Sequence, residues 1–290
     1  MSQKEPLFAF FGTPRFAAKV LDALEACGLL PALIVTAPDK KQGRGMQHSP
    51  SPVKQWALER GIDVMTPEKL SQKEFVAELK NSEWDVFVVA AYAKLLPNAL
   101  LEIPRRGCLN IHPSLLPKFR GPSPILSAIL ADERTTGVSL MLMSERMDAG
   151  PLIAQARIEL EESAWPPKAS LLEDLLAREG GKLLAEVLPE WLAGAITPEP
   201  QNEREATYTK KFTDEDARLD ISNHALDKEN FLKIRAFDKN PRVYFIERGK
   251  RVIITEAELN NGKLQIMKVI PEGKKEMPFT AYRAGRANTP

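Results

Sequence analysis

The sequence predicts an α/β fold built on a parallel sheet, followed by a smaller β-rich domain. Three observations carry this. Short apolar runs alternate with segments of helical spacing through the first two thirds of the chain. One run, Trp84–Ala90, is almost continuously apolar, as a strand is when both faces of its sheet are covered. After a proline-bearing, charged stretch at Thr197–Glu205, the texture changes to short strands between turn residues. At 290 residues, two domains are expected. The boundaries fall at 1–193, a linker at 194–205, and a carboxyl domain at 206–290.

The elements follow in order. Leu7–Phe11 is a short strand ending in Gly12-Thr13-Pro14, and Pro14 sits where a helix can begin. Phe16, Val20, Leu21 and Leu24 recur at helical spacing until Gly28 stops the pattern. Leu33–Thr36 is the next strand. Ala37–Pro52 is polar and too long for a plain connection, which suggests a functional loop. Val53–Arg60 restarts a helix and Asp63–Met65 a strand. Ser71 with Glu74 three residues on reads as a capping box for a helix to about Lys80. Cys108–Ile111 is apolar, Pro122–Leu130 a short helix, Thr136–Met143 a strand, and Leu152–Ile158 another, antiparallel if the chain reverses. Lys168–Trp191 is a long amphipathic helix with a break expected at Gly180-Gly181. Beyond the linker, Ile221–Phe237 is helical, entered through Ser222 or Asn223. Val243–Glu247, Val252–Ala257 and Leu264–Val269 are strands joined by turn-like gaps.

Composition narrows the class. The net charge is +1, but the chain from Ala206 onward carries +5 and the rest −4. A basic tail on an acidic main domain suits a polyanionic partner, and a solvated face gives the same count. Cys27 and Cys108 form no metal or redox spacing, so two inert, buried thiols in a reducing cytoplasm are expected. The start, Met-Ser-Gln-Lys-Glu-Pro, lacks the apolar core of a signal peptide. The longest apolar run, near Val86–Ala93, is too short to span a bilayer.

The chemistry gathers at Asn110-Ile-His-Pro-Ser-Leu-Leu-Pro-Lys-Phe-Arg-Gly-Pro-Ser-Pro, with Asp148 downstream in Arg-Met-Asp-Ala-Gly. Asn110 and His112 are two residues apart and share one side of an extended segment. They lie where a parallel strand ends, which is where open α/β sheets bind ligands. An amide that holds an oxyanion, a base that moves a proton and a carboxylate that orients the base suit acyl transfer. A lone histidine after a strand also serves as plain structure, and Asp before Ala-Gly is a common turn residue. Gly12-Thr13-Pro14 lacks the three-glycine dinucleotide spacing. No phosphate-loop or Gly-x-Ser-x-Gly sequence is present, so a nicotinamide enzyme and a serine hydrolase are disfavoured. No His/Cys cluster offers a metal site. In the loop Asp39–Lys54, Lys40, Lys41, Arg44 and Lys54 stand against Asp39, with Gly43 and Gly45 flanking Arg44, a basic loop suited to phosphates or simply to solvent. Lys210-Lys211 is a weaker signal of the same kind.

Several segments recur together: Phe8-Ala-Phe-Phe-Gly-Thr-Pro, Gly43-Arg-Gly, Pro50-Ser-Pro-Val-Lys, Ala91-Tyr-Ala-Lys-Leu-Leu-Pro, Asn110-Ile-His-Pro-Ser-Leu-Leu-Pro, Arg120-Gly-Pro-Ser-Pro-Ile and Met147-Asp-Ala-Gly. Ala206-Thr-Tyr-Thr-Lys-Lys, Glu215-Asp-Ala-Arg-Leu-Asp, Ile234-Arg-Ala-Phe and Gly273-Lys-Lys-Glu-Met extend the set almost to the end. Together they resemble the methionyl-tRNA formyltransferase family, a branch of the 10-formyltetrahydrofolate-dependent formyltransferases. The resemblance implies a Rossmann-like amino domain and a carboxyl domain of OB type. It implies formyl transfer from 10-formyltetrahydrofolate to the methionine α-amine of initiator Met-tRNA, in translation initiation, with no metal. Asn110, His112 and Asp148 would be the catalytic trio. Ser114, Leu115, Leu116 and Pro117, with Ala91, Tyr92 and Leu95, would contact the folate. Ala91–Leu96 and Leu142–Asp148 would line its pterin pocket. Arg44 would enter the acceptor end of the tRNA, with Lys40, Lys41, Lys210 and Lys211 on the same partner. A cytoplasmic monomer with no membrane contact is expected. One departure stands out: only Glu258–Ile270 separates the strand at Val252–Ala257 from the Gly273 motif, so an abbreviated barrel is expected.

Overall fold

The structure, a computed structural model, describes residues 5–42 and 47–287. In chain order the elements are β1 (Phe8–Gly12), α1 (Arg15–Ala26), β2 (Leu33–Val35), β3 (Lys40–Gln42), β4 (Gln47–Ser49), α2 (Pro52–Leu58), β5 (Asp63–Met65), α3 (Lys73–Lys80), β6 (Val86–Ala90), α4 (Asn98–Leu101), β7 (Cys108–His112), α5 (Pro124–Leu130), β8 (Thr136–Leu142), β9 (Leu152–Ile158) and α6 (Ala169–Ala193). Further along come α7 (Asp227–Ala236), β10 (Tyr244–Glu247), β11 (Lys250–Asn260), β12 (Lys263–Pro271), β13 (Met277–Pro278) and α8 (Phe279–Ala287). The chain forms two compact units. The first runs to Gly121 and adds Gly137–Ile158 and Glu173–Tyr208; the second takes Pro122–Thr136, Glu159–Leu172 and the chain from Thr209.

The first unit is a seven-stranded sheet in the order β5-β2-β1-β6-β7-β8-β9. Strands β5 to β7 are parallel, and β8 runs antiparallel to β7. Both faces are covered, which is why β1 and β6 read as unbroken apolar runs. Ala9 and Phe11 of β1, Phe87 and Val89 of β6 and Cys108 of β7 join Phe75 and Leu79 of α3 and Leu100 of α4 in one core cluster. On the opposite face Gly12 lies so close to α1 that a Cβ would meet that of Ala17 at 2.6 Å. α6 covers the same side of β7 and β8: a Cβ at Gly180 would come within 2.6 Å of Ile111 and 3.2 Å of Val138.

That close approach corrects one expectation. α6 is continuous through Gly180-Gly181. The glycines mark where the helix touches the sheet and α1, not a break; a Cβ at Gly181 would lie 2.8 Å from the Val20 carbonyl oxygen. The Ser71 capping box is also corrected. α3 starts at Lys73 after an extended Gln72 that makes no side-chain cap. Glu74 lies in the first turn, where its charge suits the helix dipole. The polar loop at 37–52 contains an unforeseen ribbon, β3 against β4. It ends at Ser51, whose hydroxyl caps α2 through Lys54 N and pairs with Thr36 Oγ1 at 2.8 Å. Cys27 is exposed rather than buried. Cys108 is buried, and burial pushes its thiol up to about 12.

The second unit holds an antiparallel sheet, β10-β11-β12-β13, beside α5, α7 and α8. Arg248-Gly249 and Asn261-Gly262 turn the β10–β11 and β11–β12 hairpins with positive φ at both positions, the signature of a two-residue turn that follows strand twist. Asn223 caps the short turn at His224–Leu226 that leads into α7. β13 and α8 were not foreseen; Tyr282 and Phe279 of α8 pack on Phe245. Among the described residues no helix is long and apolar enough to cross a membrane.

Candidate functional site

The first unit's sheet brings the central motif to the carboxyl ends of its parallel strands. In β7, Asn110 pairs with Val89 on one side and Met141 on the other, and His112 pairs with Ser139. Strand alternation puts Cys108, Asn110 and His112 on one face and Leu109 and Ile111 on the other. Asn110 is half-buried, and its carboxamide has no partner among the described residues. Such an amide is free to meet a ligand.

His112 is 5% exposed. Its Nε2 lies 3.0 Å from the Phe119 carbonyl oxygen. A carbonyl only accepts, so Nε2 carries the hydrogen and the neutral ring keeps its lone pair on Nδ1. Nδ1 faces Asp148 Oδ1 at 3.8 Å. The other oxygen of Asp148 accepts the Gly121 N–H at 2.7 Å. The sequence pair thus meets in space, with the carboxylate beside the ring nitrogen able to take a proton.

Two backbone positions in and beside this pair are unusual. Phe119 and Asp148 have φ of 59° and 51°. Asp tolerates the left-handed region; for a bulky residue such as Phe it costs on the order of 1–3 kcal/mol. Phe119 keeps this conformation because its N–H donates to Thr207 Oγ1 at 2.8 Å and Arg120 N–H to Thr207 O at 2.9 Å.

Arg120 was not singled out from sequence, yet it is fully buried. Its five N–H groups are all used: Nε and Nη2 on Gln201 Oε1, Nη1 and Nη2 on the Glu203 carboxylate, and Nη1 on Tyr208 Oη. Burial pulls the guanidinium down, but Glu203 and Tyr208 outweigh this and hold it above its ordinary value. Arg120 in turn lowers the Glu203 carboxyl, with Arg146 adding to the effect. Gln201 donates to the carbonyls of Asp148 (2.9 Å) and Gly150 (2.7 Å). The cues in the sequence are its place between Phe119 and Gly121 in a proline-rich turn and the Arg120-Gly-Pro-Ser-Pro-Ile segment of the family resemblance, neither of which gives it a role.

The remaining expected residues fall as follows. Ser114 is buried, and its hydroxyl donates to Lys118 O at 2.7 Å within its own turn. Leu116 is in the core, with its N–H on Ser139 Oγ. Leu115 and Pro117 are half-buried. Ala91 has φ 46°, and Ala91 and Leu95 are exposed. Tyr92 stacks edge-on against Phe11, its hydroxyl buried without a protein partner; burial pushes it up to about 12, so it stays protonated. The segments 91–98 and 142–148 are tied by Asn98 Nδ2 donating to Glu145. Lys40 and Lys41 lie in β3, and Lys54 beyond the ribbon pairs with Asp39 at 2.8 Å. Arg44 lies outside the described residues. In the second unit Lys210 is exposed and pairs with Asp216; this bond, backed by the Thr213 N–H, holds the Asp216 carboxyl at about 2. Lys211 is exposed next to it. Among the described residues no three His, Cys, Asp or Glu gather as metal ligands.

Comparison with known proteins adds an independent line. Residues 6–188 match the formyl transferase family model. A methionyl-tRNA formyltransferase of Chloroflexus aggregans is 44% identical over 248 residues, covering 86% of this chain and 79% of that protein. One from Chloroflexus aurantiacus is 43% identical over 301 residues, covering 95% and 96%. Among solved structures, a sugar N-formyltransferase from a Shewanella species superposes with a TM-score of 0.66 at 17% identity, covering 89% of this chain and all of that one. This last likeness concerns the fold alone.

Proposed function

The chain belongs to the formyl transferase family, and we propose that it carries the activity of the methionyl-tRNA branch: transfer of a formyl group from 10-formyltetrahydrofolate to the α-amine of methionine on initiator Met-tRNA, for translation initiation. The observation that carries this reading is 43% identity spread over 95% of the chain, taking in the carboxyl part as well as the sheet. It favours a charged tRNA over an amino-sugar nucleotide as the acceptor.

The site residues suit such a donor. The orphaned Tyr92 hydroxyl and the half-buried Met143 lie beside one core cluster near the carboxyl ends of β1 and β6. Their side chains offer a flat heterocycle an apolar wall. Ala91, Leu95 and Ser114–Pro117 are assigned to the same ligand. The donor supplies an electrophilic formyl carbon attached to a nitrogen leaving group. Asn110 donates an N–H to the formyl oxygen as the amine adds and charge develops there; one such donor is worth about 3–4 kcal/mol. His112 Nδ1 takes the proton from the adding amine, because Nε2–H is already given to Phe119 O. Asp148, at 3.8 Å, stabilises the imidazolium. The same proton passes to the departing nitrogen, so the ring ends neutral. A positioned acid–base of this kind contributes roughly 10²–10⁴-fold.

The tRNA would be held by Lys40, Lys41, Arg44, Lys210 and Lys211, with residues 206–290 as the tRNA-binding domain and 194–205 as the linker. Phosphate contacts of this kind make binding salt-dependent. The enzyme acts as a monomer in the cytoplasm. The test is transfer of radiolabelled formyl to charged initiator tRNA, with elongator Met-tRNA and an amino-sugar nucleotide as competing acceptors. Preferential labelling of the initiator supports the reading; labelling of the sugar nucleotide alone overturns it.

A further inference from the structure

The His112–Asp148 pair is held from outside its own strand, and by very little chain. Three consecutive residues do the work. Phe119 O accepts from His112 Nε2, Gly121 N donates to Asp148 Oδ2, and Arg120 between them is tied to Gln201 and Glu203. Thr207 fixes the N–H groups of Phe119 and Arg120. A second grip acts on Asp148 itself. Gln201 Nε2 donates to the carbonyls of Asp148 and Gly150, on either side of the turn. The assignment of the Gln201 amide is forced by its neighbours: guanidinium N–H groups only donate, so Oε1 faces Arg120, and carbonyls only accept, so Nε2 faces the turn.

We propose that residues 201–208 form a positioning strap for the catalytic pair, and that Gln201 is the residue through which the strap sets the place of the Asp148 carboxylate. The inference rests on the catalytic roles proposed above for His112 and Asp148. Its physical basis is closure of a ring of hydrogen bonds: Arg120 to Gln201, Gln201 to the Asp148 backbone, the Asp148 carboxylate to Gly121, and Gly121 back along the chain to Arg120. In a closed ring, loosening one bond frees the others. Asp148 at φ 51° makes no strand pairing that would hold it otherwise. A fully buried arginine requires all its donors to be met, so the strap cannot drift without stranding that charge. Gln201 is a positioning residue and touches neither substrate.

Gln201→Glu is the informative variant. It keeps an acceptor for Arg120 and loses both donors to the Asp148 turn. Two readouts are needed. The first uses the protein without substrates: amide hydrogen exchange at Gly121, whose N–H is bound to Asp148. The strap predicts exchange at least tenfold faster in Gln201→Glu than in the parent chain. The second is a double-mutant cycle in single-turnover formyl transfer. Gln201→Glu should lower kcat about tenfold with KM for either substrate within about twofold. In an Asp148→Asn background the same change should cost less than twofold, because the group it positions is already gone. Unchanged Gly121 exchange overturns the proposal, as does an equal loss of kcat in both backgrounds. Failure of the parent chain to formylate Met-tRNA would instead overturn the functional reading, leaving the exchange result to decide the strap. If Gln201→Glu does not fold, Gln201→Asn, shorter by one methylene, replaces it with the same expected pattern.

Discussion

Replacing Asp148 by asparagine removes a charge and leaves the turn standing. At φ 51° asparagine is among the few residues that the left-handed region tolerates. Its Oδ1 can still accept the Gly121 N–H that Asp148 holds at 2.7 Å. What changes is the second atom, which faces His112 Nδ1 at 3.8 Å. A charged acceptor becomes an amide donor aimed at the lone pair the reaction needs. Two unit charges at 3.8 Å interact by about 4 kcal/mol at an effective dielectric near 20, against about 1 kcal/mol in bulk water. The two side chains are only 6% and 14% exposed, so the first figure governs the fully formed imidazolium. That charge is partly developed at the transition state. The expected loss of kcat is therefore roughly 10- to 1,000-fold, at about 1.4 kcal/mol per decade. The assay is single-turnover transfer of radiolabelled formyl to charged initiator tRNA with both substrates saturating. Thermal melting and folate binding should match those of the parent chain. A kcat within about threefold of the parent would refute the role given to the carboxylate.

Asn110→Ala should lower kcat by about 10²–10³-fold with little change in either KM, as loss of an oxyanion donor does; a rise in folate KM at constant kcat would make Asn110 a binding residue instead. Arg44→Ala should raise the KM for tRNA, spare folate binding and lower the slope of log K against log salt by about one unit; a tRNA titration identical to that of the parent chain removes Arg44 from the interface. Gly180→Val drives a side chain into Ile111 and Val138, where a Cβ alone would meet them at 2.6 and 3.2 Å. Urea unfolding should show a loss of about 1–3 kcal/mol from overpacking, and an unchanged midpoint would show that the helix does not sit so close.

Much of the frame was legible because it follows from burial periodicity. β1 and β6 are apolar on both sides, β7 is apolar on the Leu109 and Ile111 side, and α1 repeats its buried Phe16, Val20, Leu21 and Leu24 at helical spacing. Asn110 and His112 were readable as a pair because alternation in a strand is a rule of local geometry. The misreadings have local causes as well. Ser71 matched a capping pattern that says nothing of where the helix packs, and the helix that buries Phe75 and Leu79 has Gln72 as its N-cap, one residue later. Gly180-Gly181 looks the same in sequence whether it ends a helix or lets one approach a sheet; only the neighbouring Ile111 and Val20 decide. β3 and β4 are too short and polar to carry a period. Arg120 and Gln201, 81 residues apart, share no pattern that spacing could reveal.

The three proposed catalytic groups differ in what holds them, and this explains their sequence contexts. Asn110 and His112 inherit their positions from sheet register, so an apolar run ending in a stiff turn suffices. Asp148 has no register to inherit. Its turn returns the chain from β8 to β9 so tightly that a Cβ at Gly150 would lie 1.8 Å from the Leu142 carbonyl oxygen. Only glycine fits there, and only a residue tolerant of positive φ fits two positions earlier. The Met147-Asp-Ala-Gly sequence is thus a statement about backbone space before it is one about chemistry. The direction of the carboxylate is then left to contacts from Gly121 and from Gln201, which lies 53 residues downstream of the aspartate whose carbonyl it binds. A change in the strap should therefore disturb the proton-handling pair while leaving the oxyanion donor in place, so variants at Gln201 and Asn110 should combine additively where those at Gln201 and Asp148 do not.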